Sequence, residues 1–77
     1  MQVIAKVEIV SSVGVSIVIL SKDGYRYITN AHRINETKPT IPYTHRTKEQ
    51  ALIQHRADVE YTRVQARWAE RDYRASL

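Results

Sequence analysis

The chain has 77 residues and no cysteine, so it is one domain whose core sits near the lower size limit and gains nothing from disulfides or thiolate metal sites. Twelve Lys and Arg against eight Asp and Glu give a formal charge of +4, a positive field that favours acidic partners without singling out nucleic acid. The opening MQVIAKVEIV lacks a basic segment ahead of an apolar block, and the longest apolar run, Val15 to Leu20, is too short to span a bilayer, so a soluble, unsecreted, cytoplasmic protein is expected.

The first element is a β-meander over 2–34. The chain's two glycines lie ten residues apart in matching surroundings, Ser11-Ser12-Val13-Gly14-Val15 and Ser21-Lys22-Asp23-Gly24-Tyr25. A three-residue hairpin loop, a type I turn followed by a left-handed residue, places Gly last. Ser11 then pairs with Val15, and Ser21 with Tyr25. Both registers put Val7, Ile9, Val15, Ile17, Ile19, Tyr27 and Ala31 on one face of a three-stranded antiparallel sheet, with Val15 to Leu20 as its central strand. The other face carries Ile4, Lys6, Glu8, Val10, Val18, Leu20, Arg26 and Ile28, an apolar centre that charged stems can cover or a partner can occupy.

Residues 35–46 read as a loop, because Pro39 and Pro42 hold their predecessors extended and end sheet pairing. Thr47 with Gln50 three residues on is a capping box, and no Gly or Pro interrupts the rest of the chain, so 47–76 is one helix of about 40 Å. A short sheet cannot cover that length, and the C-terminal half is expected to project or to meet something else. The fold class is therefore α+β, in the order β-β-β-α.

At about 100° per residue, Ile53, Ala57, Tyr61, Val64 and Trp68 share one stripe, assigned to the sheet with Trp68 near or beyond its edge. A second stripe, Leu52, Val59, Ala66 and Tyr73, recurs every seven residues. Either the loop from Ile34 to Tyr43 folds over it, or it is a candidate dimer or partner contact. Between the stripes runs a ladder of Arg56, Arg63, Arg67, Arg71 and Arg74, interrupted by Glu60 and Glu70. Arg56 with Glu60, and Glu70 with Arg74, stand at i,i+4 and read as solvated ion pairs. Arginine beside tyrosine and tryptophan is also the composition of protein contact sites, so Arg63, Arg67, Trp68, Arg71, Tyr73 and Arg74 are the candidate partner-binding residues.

No enzyme is expected, and no catalytic, cofactor-binding or metal-binding residue is assigned. His32, His45 and His55 each precede an arginine, which disfavours a bound cation. No phosphate-binding glycine loop or glycine-framed serine occurs.

Two resemblances add to this reading. A three-stranded sheet followed by a helix beginning Thr47-Lys48-Glu49-Gln50-Ala51 resembles the plan of the AP2 and integrase N-terminal DNA-binding domains, whose sheet enters the major groove. In those families the exposed sheet face is rich in Arg, Lys and aromatic residues, whereas here Lys6 and Arg26 stand beside Glu8, Ile4, Val18 and Ile28. The whole chain, with strands VIAKVEIV, VSIVIL and YRYITNA and one helix, resembles small phage-encoded inhibitors of bacterial defence, anti-CRISPR proteins among them, in size and architecture. That likeness implies stoichiometric binding to a protein or nucleoprotein, with a homodimer as a candidate state. The alternative is a nucleic-acid-binding accessory protein using the helix arginines on phosphates.

Overall fold

The computed structural model describes residues 1–33 and 41–77. Its two hairpins are tighter than the Ser-x-x-Gly repeat suggests. Strand β1 (Gln2–Ser11) meets β2 (Gly14–Asp23) through the two residues Ser12 and Val13, with Ser11 opposite Gly14. The Ser11 hydroxyl accepts from the Val13 N–H at 3.3 Å and donates to the Gly14 carbonyl at 3.2 Å, so a side chain closes the turn. Strand β3 (Arg26–His32) follows the two residues Gly24 and Tyr25, with Asp23 opposite Arg26. Gly24, at φ +63°, opens this turn, as the first central residue of a type II′ hairpin does. Gly14 also has positive φ, +145°. Both glycines thus have the expected backbone, but neither ends a three-residue loop.

Shorter loops change the pairing and turn over the central strand. Val18 lies between Val7 and Ala31, and Leu20 between Ala5 and Thr29. The helix-facing side keeps Val7, Ile9, Tyr27 and Ala31 as expected, but takes Ser16, Val18 and Leu20 from β2. Val15, Ile17 and Ile19, expected inside, face the other way, with Ile17 between Glu8 and His32 and Ile19 between Lys6 and Asn30. A register change by an odd number of residues exchanges the two faces of a strand. On that outer face Lys6 and Glu8 form an ion pair at 3.4 Å.

A short fourth strand, β4 (Tyr43–His45), stands where the loop was expected to continue; it pairs antiparallel with β3, Tyr43 opposite Thr29 and His45 opposite Tyr27. No proline follows Pro42, so the backbone N–H groups beyond it can join the ladder; Thr29 Oγ1 and His45 Nε2 lie 3.0 Å apart and pin the strand. The sheet order is β1-β2-β3-β4. The rest of the expected loop, with its proposed cover over the helix, lies largely at 34–40, outside the described residues.

Helix α1 (Lys48–Ala75) has Thr47 as its N-cap, whose hydroxyl accepts from the Gln50 N–H at 3.2 Å. Glu49 in the first turn and Arg74 in the last suit the helix dipole. The buried side is Ala51, His55, Asp58, Thr62, Ala66 and Ala69, a helical series of small and polar residues. The stripe assigned to the sheet faces away from it: Ile53, Tyr61 and Trp68 are 69%, 54% and 55% exposed. Alanine and threonine bring the helix backbone close to β2, which seals Val18 and Leu20 at 0% exposure. Among the described residues the buried apolar set is otherwise Ala31, Ala51, Ala66 and Ala69, so their core is small in area as well as in residue number. Burial against the sheet runs to Ala69, and only the last two turns project, less than the expected half.

Candidate functional site

Three surfaces of α1 bear on function: the outward stripe, the flank toward β3 and the flank toward β1. The β3 flank is closed by polar contacts. Arg33, just beyond β3, donates from Nε to Thr62 Oγ1 at 3.1 Å, approaches Asp58 Oδ1 at 3.8 Å and stacks on the Tyr61 ring at 4.7 Å from its centroid. Gln54 Nε2 donates to the same Asp58 oxygen at 2.9 Å. Arg33 and Asp58 retain 17% and 12% side-chain exposure, so this pair is largely desolvated and well provided with hydrogen bonds.

The β1 flank is open. Two adjoining hollows of about 690 and 190 Å³ lie between β1 and α1 and share Arg63 and Arg67. Val7, Val59 and Val64 with Arg56, Glu60 and His55 line the larger one; Ile9, Val10, Ser11, Ala66 and Glu70 line the smaller. Glu70 accepts from the Ser12 N–H and hydroxyl at 2.9 and 3.0 Å, and these bonds hold its carboxyl below the usual carboxylate range. No close ion pair joins Glu70 to Arg74 among the described residues; Glu70 is tied instead to the first hairpin turn, with Arg74 still favouring its charge. Nor do Arg56, Arg63 and Arg67 form ion pairs among the described residues. His55 is only 6% exposed, and its Nδ1 is buried without a hydrogen-bond partner. Burial lowers its pKa below the ordinary 6.5, against the pull of Asp58, which favours the charged form.

The residues nominated from the sequence spread over more than half of the helix circumference, with Trp68 and Arg71, three positions apart, as neighbours. Arg63, Arg67, Arg71 and Arg74 are exposed along the β1 side, and with Arg56 they occupy an arc of about 80° at ~100° per residue. Trp68 points to the other side of the outward surface, about 100° from Arg67 by the same geometry. Tyr73 lies beyond the sheet. Of the candidate dimer stripe, Leu52 and Val59 are half-buried on the β1 flank, Ala66 packs on the sheet and Tyr73 is exposed, so it is no free seam.

Arg33, Asp58, Thr62 and His55 were not singled out as interacting groups. For His55, Asp58 and Thr62 the signal is the spacing Ala51, His55, Asp58, Thr62, Ala66, Ala69, a helical stripe of small and polar residues hidden behind larger apolar ones; Arg33 has no such signal. No group of three or more His, Asp or Glu that could hold a metal ion occurs among the described residues, and no helix among them is long and apolar enough to cross a membrane. Compared with known proteins, the chain matches no family model, no curated sequence and no solved structure.

Proposed function

We propose that this protein acts without catalysis, as a small binding protein that occludes the working surface of a protein or nucleoprotein partner, in the manner of the phage-encoded inhibitors it resembles in plan. One observation carries the reading: α1 packs through small residues and turns Ile53, Tyr61 and Trp68 to solvent, more than half of each exposed. Large aromatic side chains beside arginine are the anchors of protein interfaces. A core with so few large side chains adds a reason for a partner, since burying the outward stripe would supply apolar contact the monomer lacks.

The test is capture of host proteins on tagged wild type, Trp68→Ala and Tyr61→Ala, with mass-spectrometric identification and titration of whatever is retained. A stoichiometric protein bound about 30-fold more weakly by Trp68→Ala is expected, the equivalent of about 2 kcal/mol at a central aromatic. Equal retention by wild type and both variants, or none by any, contradicts it.

A second reading is favoured by the exposed arc of Arg56, Arg63, Arg67, Arg71 and Arg74: binding of nucleic acid as an accessory protein, through phosphates. Glu60 and Glu70 lie within or beside that arc and oppose it. Neutralising about four duplex phosphates gives a log-log salt slope near -3.6. Submicromolar duplex or single-strand binding of such steepness, weakened by Arg67→Ala and Arg71→Ala, would put this reading first.

A further inference from the structure

We infer that the β1 edge and its arginine-lined groove form a docking site for an extended acidic segment of a partner protein, which adds to the sheet as a strand beside β1. The inference rests on the protein-binding reading above and names the chemistry of one partner element.

β1 is an outer strand of ten residues, against three for β4 on the opposite edge, and among the described residues no strand pairs with its far side. Its ladder to β2 is regular from Ala5 to Ser11, after an irregularity between Val3 and Ala5. Such an edge presents unmet N–H and C=O groups to an incoming chain. Most long edges are blunted by charge, yet from Ala5 to Ser11 the charged residues are Lys6 and Glu8, and these pair with each other.

The helix decides which strand fits. A segment alongside β1 would turn every second side chain toward α1, into the hollows that follow β1 from Val7 to Ser11. Three arginines border that space against two carboxylates, Glu60 in the larger hollow and Glu70 in the smaller, and Glu70 is held at the Ser12 turn by the hydrogen bonds that keep it charged. Arg63 and Arg67 are about 6 Å apart along the helix axis, close to the ~6.6 Å between alternate residues of a strand. Carboxylates at alternate positions would therefore meet successive guanidinium groups, for which arginine offers a two-pronged donor. The same charges disfavour a second copy: pairing β1 with its own equivalent would set two such arginine rows against each other.

The probe is a fluorescein-labelled ten-residue peptide of alternating Glu and Val, compared with alternating Lys and Val and with a block peptide of five Glu followed by five Val. Fluorescence anisotropy should show the alternating acidic peptide binding at least tenfold more tightly than either control. Amide exchange should slow at alternate residues between Ala5 and Ser11. Arg63→Ala and Arg67→Ala, both at exposed positions, should each weaken the peptide about tenfold or more, while Trp68→Ala changes it by less than about twofold. Equal affinity for the basic or block peptide, no added protection on β1, or a sedimenting dimer that the peptide does not dissociate would each overturn the inference. If the peptide fails while a captured protein still depends on Trp68, strand docking falls and the binding function stands; loss of both removes the function as well.

Discussion

The two flanks of α1 differ although one helix supplies both. Toward β3, Arg33 bonds Thr62, approaches Asp58 and stacks on Tyr61, and Gln54 donates to Asp58. Toward β1, Arg56, Arg63 and Arg67 border a hollow over Val7, and His55 Nδ1 has no partner. The helix contributes charge to both sides, but only β3 is followed by a residue long enough to answer it. β1 offers valine and isoleucine. A flank becomes structural where the neighbouring strand can complete its hydrogen bonds, and is left for a ligand where it cannot.

Substitutions should separate the flanks by the size of their effect on stability. The largest is expected at Asp58→Ala, which removes the carboxylate that Arg33 approaches and the acceptor of Gln54; the loss should be about 2–3 kcal/mol, below the full cost of a wholly buried pair because both side chains keep some solvent. Denaturant midpoints measure it, and a change under about 0.5 kcal/mol would mean that the β3 flank is not held by this pair. Thr62→Val removes the acceptor of Arg33 Nε while preserving shape, and should lower stability by about 1–2 kcal/mol in the same assay.

On the β1 flank His55 gives a smaller, pH-dependent effect. Burial holds its pKa below the ordinary 6.5, so the unfolded chain takes up a proton before the folded chain does. Its contribution is complete above that value and declines as pH falls below it, by up to about 1.4 kcal/mol per unit until the folded protein is protonated too. His55→Phe, which removes the unpartnered Nδ1, should flatten this slope and change stability at neutral pH by less than about 1 kcal/mol. Midpoints from about pH 5 to 8 would show the same slope in both proteins if His55 were not responsible. The smallest effects belong to Arg56→Ala and Arg63→Ala, exposed and without ion pairs among the described residues, at about 0.5 kcal/mol or less. A loss above about 1 kcal/mol at either would show that the open flank is structural after all.

Much of the site was legible only as composition. The arginine ladder and its place beside Val59 come from helical spacing, and the exposed arc agrees with it. That Trp68 faces solvent, about 100° from Arg67 and about 60° from Arg71, was hidden by assigning its stripe to the sheet. Arg33 could not be placed from the sequence, because its partners are 25 and 29 positions away in the chain and nothing local couples them.

What the sequence by itself determined is what single residues or short spacings control: a three-strand antiparallel meander followed, after a short β4 it did not show, by one helix, the N-cap at Thr47, the uninterrupted helix to Ala75, the positive φ of Gly14 and Gly24, and the inward side of β1 and β3 at Val7, Ile9, Tyr27 and Ala31. Only the tertiary structure decided the side taken by β2 and by α1. Ile17, Val18, Ile19 and Leu20 are apolar at both parities, so alternation cannot orient that strand, and a turn closed by Ser11 does so instead. Around α1, apolar residues occupy nearly every direction, and bulk alone would bury Ile53, Tyr61 and Trp68. Close approach favours the side with least side chain, and Ala51, Thr62, Ala66 and Ala69 let the helix settle over Val18 and Leu20 while the larger residues remain outside.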